Sequence, residues 1–157
     1  MSHCKHLIAL TLLVASVFLA GTSLAQELSL KKKDVPKAIL DAFHKSYPNA
    51  TIKGYSKETD SGLVSFEIES VEGKTHRDLS YRADGSVVSI EESLPFSDLP
   101  EAIRNALKKD YPKAKVSLCE KVVEHGTTTF ELVVLSGKHK KELVFNGDGT
   151  IVKEEKQ

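Results

Sequence analysis

Carboxylates at matching places in two stretches of the chain are the side chains whose chemistry stands out. If the turns at Glu72-Gly73 and Asp84-Gly85 set the strand register, Glu67 faces Asp78 and Asp78 faces Glu91. The preceding turn then sets Lys53 against Glu67, giving a row of Lys53, Glu67, Asp78 and Glu91. A second stretch gives Ser117, Glu131, Glu142 and Glu155. Like charges directly opposite on neighbouring strands cost up to about 1 kcal/mol, and such local costs concentrate at functional sites. Carboxylate oxygens in a row suit Ca²⁺ or a cationic partner surface. Against this stands an ordinary solvated face, because Lys74, Lys138, Lys140 and Lys153 can reach diagonally and neutralise the rows. Both readings stay open on the sequence.

Other constellations do not form. His44, His76, His125 and His139 lack metal spacing to a second His or Cys. The chain has no Gly-rich phosphate loop and no G-x-S-x-G elbow. No catalytic residue, metal ligand or cofactor site is therefore assigned, and the expectation is a protein without enzymatic activity.

The elements that would position the carboxylates occur twice. Asp34–Ser93 aligns with Asp98–Gln157 without a gap, and 20 of 60 positions are identical. One register held through every turn marks a tandem repeat. Each copy opens on a helix: Val35, Ala38, Ile39, Ala42 and Phe43 draw an apolar stripe, as do Leu99, Ala102, Ile103, Ala106 and Leu107. Asp34 and Asp98 stand where an N-cap is wanted, with Pro36 and Pro100 in the first turn. Pro48 and Pro112 end each helix at the preceding Tyr47 and Tyr111. Four strands follow. Alternation sets Ile52, Val64, Phe66, Ile68, Leu79, Tyr81 and Val88 on an inner face, and Val116, Leu118, Phe130, Leu132, Val134, Leu143, Phe145 and Val152 in the copy. Short Gly-containing turns make neighbours antiparallel. The expected fold class is α+β, a tandem repeat with each unit one helix followed by a four-stranded antiparallel meander and the helices packed on one sheet face. Leu94–Ser97 links repeat 1 (Asp34–Ser93) to repeat 2 (Asp98–Gln157) and is too apolar for a free tether.

Met1–Ala25 has the pattern of a secretory signal peptide: Lys5, an apolar run over Leu7–Ala20, and small residues in Ser23-Leu24-Ala25. Gln26–Lys33 is a short leader to the first repeat. The expected location is periplasmic or secreted, with no membrane span after cleavage. Of two cysteines, Cys4 leaves with the signal peptide. Cys119 then has no intramolecular partner, so stability must come from a hydrophobic core. Acids and bases balance at 22 each, which offers no basic footprint for nucleic acid.

The V/L-P-x-A-I openings, Tyr47-Pro48-Asn49-Ala50 and Tyr111-Pro112-Lys113-Ala114, Phe66-Glu67 and Phe130-Glu131, and Asp84-Gly85 and Asp148-Gly149, all in tandem, resemble the PepSY-like periplasmic proteins. That group is also described as similar to β-lactamase inhibitor proteins. The resemblance covers nearly the whole chain after the signal peptide. It implies helices packed on antiparallel sheet and a role in inhibiting peptidases or binding at the cell surface, with no catalytic residue to carry over.

Two functional classes follow. A binding or inhibitory module would meet a periplasmic or cell-surface protein or peptide with its exposed sheet, using Glu67, Asp78, Glu91, Glu131, Glu142 and Glu155. Among them would stand Tyr55, Leu63, Val133 and Val144, which parity sets on the same face. A small-molecule or Ca²⁺ carrier would instead need an enclosed polar pocket between helix and sheet. The inward positions are nearly all apolar, which favours the first class.

Overall fold

Alternating side chains and two-residue turns build nine strands and two helices in the computed structural model, which describes residues 26–60 and 62–156. The proposed signal peptide lies outside the described residues. Strand β1 (Gln26–Ser29) precedes helix α1 (Lys37–Ser46) and strands β2 (Thr51–Asp60), β3 (Leu63–Glu72), β4 (Thr75–Tyr81) and β5 (Val87–Ser93). Helix α2 (Glu101–Asp110) then leads to β6 (Lys115–Glu124), β7 (Thr127–Ser136), β8 (His139–Asn146) and β9 (Ile151–Lys156). The strands form one antiparallel sheet in chain order, β1 to β9.

This corrects the expected fold class. The protein is a single nine-stranded antiparallel sheet with two helices, not a repeated unit of one helix and a four-stranded meander. Two features were not foreseen. Strand β5 pairs with β6 from Ser89↔Glu124 to Ser93↔Glu120, and β1 adds to β2 from Gln26↔Thr59 to Ser29↔Ser56. The join has a physical cause. Separate sheets would leave β5 and β6 as unpaired edges, and pairing satisfies their backbone groups. Leu94 continues the ladder across the linker by donating its N–H to the Cys119 carbonyl at 3.0 Å.

Two apolar clusters lie on the helix-bearing side of the sheet. Val35, Ile39 and Phe43 pack with Ile68, Leu79 and Tyr81. Leu99, Ile103 and Leu107 pack with Cys119, Phe130, Leu132, Val134, Leu143 and Phe145. The Asp-Gly turns close onto the helices. A Cβ on Gly85 would stand 2.7 Å from the Ala38 carbonyl oxygen, and one on Gly149 the same distance from that of Ala102; both glycines have φ +86°. Close approach and left-handed backbone together demand glycine there, and the small Ala38 and Ala102 permit the contact. Tyr47 and Tyr111 sit at the helix ends, each with a cation above its ring, Arg77 at 4.9 Å and Lys141 at 5.5 Å.

The expected caps are not where the sequence set them. Asp34 and Asp98 end short 3₁₀ turns, and Pro36 and Pro100 occupy the cap positions with no side-chain cap bond. The proline carbonyls accept the first helical N–H groups, from Ile39 and Leu40 and from Ile103 and Arg104.

Four bulges recur at equivalent places. Lys53 and Ser117 are extra residues in β2 and β6, and Val88 and Val152 in β5 and β9. A bulge reverses the facing of whatever lies beyond it and increases local twist. Leu118, expected inward, consequently pairs with Val133 on the other face. Val88 and Val152 leave the expected inner series, with Val152 exposed. Val64 is also exposed.

Candidate functional site: the helix-free sheet face

The face opposite the helices is built from rows of paired residues. One row runs Glu69, Asp78, Glu91, Val122 and Thr129 across β3 to β7. The next runs Ser93, Glu120, Glu131, Val144 and Lys153 across β5 to β9. Glu67 and Ser80 lie on one side of the first row, and Val133, Glu142 and Glu155 on the far side of the second. Glu67, Glu69, Asp78, Glu91, Glu120, Glu131 and Glu142 thus gather over β3 to β8, with Glu124, opposite Ser89, beside them.

Two of the expected oppositions are present: Asp78 faces Glu91, and Glu142 faces Glu155. The others are shifted. Glu67 faces Ser56 and Ser80, and Glu131 faces Glu120 and Val144. The cause is the turn frame. The loops are Gly73-Lys74 and Gly137-Lys138, with Glu72 paired to Thr75 and Ser136 to His139. Glycine takes the first loop position with φ +63° and +62°, as a two-residue hairpin with glycine first requires. That frame moves each pairing by two residues, so Glu67–Asp78 and Glu131–Glu142 become diagonal neighbours. Lys53 and Ser117 fall out of the rows as bulge residues.

The four apolar candidates divide. Tyr55 pairs with Ile68 and packs on the core beneath α1, because the Lys53 bulge reverses its facing. Leu63 is 78% exposed beside the β2–β3 turn. Val133 and Val144 lie on the helix-free face, yet are only 5% and 7% exposed. Neighbouring side chains cover them, and they floor the face rather than project from it.

Glu120 was missed. Uninterrupted alternation from Val116 would turn it into the core; the Ser117 bulge turns it onto the helix-free face. It is only 7% exposed, and its Oε2 has no hydrogen-bond partner among the described residues. Burial, reinforced by Asp78, Glu131 and Glu142, raises its pKa to about 7. Burial likewise raises Glu91 to about 8, with repulsion from Glu131 and Glu120 added. Glu67 rises to about 7 from burial and then Asp78, and Asp78 to about 6 from burial and then Glu69, with His76 opposing. Glu131 is raised by burial and Glu142, while Lys153 opposes. Beside these groups lies a hollow of about 240 Å³ whose walls include Glu91, Val122, Glu131, Val144 and Lys153. Its walls come from β5 through β9, so the face is concave there.

Among the described residues no group of three His, Cys, Asp or Glu side chains is arranged to hold a metal ion. Cys119 is a core residue on the opposite side, its thiol raised to about 11 by burial and then by Glu120. A buried thiol with so high a pKa is a poor nucleophile.

The sequence profile of the PepSY-like family, described as beta-lactamase-inhibitor-like, matches residues 23–87 and again residues 65–153. The chain belongs to the PepSY-like family. Two matches fit the tandem repeat seen in the sequence. No curated protein matches the chain. Among solved structures, a BLIP-like protein from Bacteroides fragilis is similar, with 25% identity, TM-score 0.62, and coverage of 78% of this chain and 86% of that one. A protein from Bacteroides eggerthii described as periplasmic shares the fold at 16% identity and TM-score 0.66, covering 78% and 88%. A DUF2874 family protein from Bacteroides ovatus does so at 17% and 0.65, covering 78% and 87%. The Bacteroides eggerthii protein's description as periplasmic is in line with the expected location of this chain, and among the described residues no helix is long and apolar enough to cross a membrane.

Proposed function

We propose that this PepSY-like protein is an exported, non-enzymatic binding module that meets a protein or peptide with its helix-free sheet face. The observation that carries the reading is that face itself. It is concave over β5 to β9, floored by Val122, Val133 and Val144, and crowded with carboxylates that repel one another. A surface evolved only for solubility would spread its charges apart, since crowding like charges costs stability. The BLIP-like description of the similar Bacteroides fragilis protein points the same way. The carboxylates proposed to make contact are Glu67, Asp78, Glu91, Glu131, Glu142 and Glu155, with Val133 and Val144 beneath them.

The test compares three forms of the protein as bait in periplasmic extract. Thr129→Trp places a large ring in the hollow, and Lys45→Glu alters an exposed residue of α1. A partner retained by the wild type and Lys45→Glu but lost by Thr129→Trp supports the reading. A partner lost only with Lys45→Glu would move the binding surface to the helices.

A further inference from the structure

We infer that the partner presents a cationic segment to this face, an arginine or lysine side chain seating its charge among Glu91, Glu120 and Glu131. This rests on the binding-module reading above and adds the chemistry of its partner.

Three observations converge. The first is Glu120, 7% exposed, with an Oε2 that no described group satisfies. A buried carboxylate oxygen without a donor bears the cost of its lost hydration uncompensated, and a guanidinium or ammonium supplies the missing donors. The second is the company it keeps. Glu131 lies directly opposite it on β7 and Ser93 opposite it on β5, while Glu91, opposite Val122, is its diagonal neighbour on β5. The charged groups facing this point from every packed strand are Glu67, Glu69, Asp78 and His76 from β3 and β4, Glu124 from β6, Glu142 from β8, and Lys153 and Glu155 from β9. Carboxylates dominate that set in a chain whose overall formal charge is zero, so the face is complementary to a cation. The third is the floor. Val122 and Val144 border the hollow beside Glu91 and Glu131, and the methylene stem of a lysine or arginine packs on such apolar surface while its charge reaches the carboxylates. A bare metal ion would gain nothing from those valines.

The probe is a ten-residue peptide alternating arginine and valine, with a second peptide carrying citrulline in place of arginine. Citrulline keeps the shape and removes the charge. Binding to the purified protein is followed by calorimetry at pH 7.5 in low and physiological salt. The arginine peptide is expected to bind and the citrulline peptide to bind at least about tenfold more weakly, as loss of one partner of a buried charge pair implies. Glu91→Gln/Glu120→Gln/Glu131→Gln is expected to lose that preference while keeping its circular dichroism spectrum. Equal binding of the two peptides, or an unchanged preference in the triple variant, overturns the inference. So does calcium chloride at millimolar concentration displacing the arginine peptide more strongly than sodium chloride of equal ionic strength, which would make the cluster a metal site. A partner from extract that Thr129→Trp loses but the triple glutamine variant retains would sink the cationic chemistry and leave the binding-module reading standing.

Discussion

At the scale of single residues, Glu120 and the paired glycines make the sharpest claims. Glu120→Gln removes a buried charge without changing shape. With a folded pKa near 7 against about 4.5 unfolded, the wild-type group is ionised at pH 8 in both states and unfavourable only when folded. The substitution is expected to stabilise the protein by about 1 kcal/mol or more at pH 8 and by much less at pH 5, as read by urea unfolding. Equal effects at the two pH values would show that the carboxylate is not strained. Gly149→Ala meets two obstacles, φ +86° and a carbonyl 2.7 Å from the new Cβ, and is expected to cost about 1–3 kcal/mol. Gly126→Ala meets only the first, since nothing lies within 4 Å of its Cβ position, and should cost less. The Asp-Gly turns were plain in the sequence; the contact with Ala38 and Ala102 that gives them a second purpose was not, because it joins residues 47 positions apart. Glu120 was hidden for a different reason. Its facing depends on one extra residue at Ser117, and nothing in the residue types around Ser117 announces a bulge.

At the scale of elements, the join between β5 and β6 decides the architecture. Helices and strands were legible from apolar periodicity because each repeat carries its own stripe and its own turn glycines. The join was not, since Ser89–Ser93 and Glu120–Glu124 carry no turn or pattern that names a partner. Leu94 donating to the Cys119 carbonyl starts the alternation along this pair. That alternation directs the N–H of Val123 at its partner Ile90 on β5. Val123→Pro therefore removes a bond that exists only if the sheet is continuous, and leaves a strand carbonyl unsatisfied. A loss of about 2 kcal/mol or more is expected in chemical denaturation. If β6 were the edge of a separate sheet, that N–H would face solvent and proline would be tolerated.

At the scale of the whole molecule, the carboxylates of the helix-free face are crowded although the chain's formal charge is zero. The helices carry Lys37, Lys45, Arg104, Lys108 and Lys109 against Asp41, Glu101 and Asp110, whereas the opposite face holds mainly carboxylates. Composition could not reveal this, because it counts charges without their facing. The raised pKa values of Glu67, Asp78, Glu91 and Glu120 give the consequence a sign. Between about pH 4.5 and 8 the folded state holds more protons than the unfolded state, so stability is greatest at the acidic end and falls as pH rises. Asp84, Asp148 and Glu154 shift downward through hydrogen bonds, and their effect lies below that window. The melting temperature is expected to be several degrees higher at pH 5 than at pH 8, where about 1 kcal/mol corresponds to a few degrees; a flat or rising profile would contradict the crowding. The most direct measurement of the central claim is amide chemical-shift mapping of the protein titrated with the arginine–valine peptide. Shifts gathered at Glu91, Val122, Glu131 and Val144, with Ile39 and Ile103 unmoved, are the expected result. Shifts gathered on α1 and α2, or none at all, would contradict it.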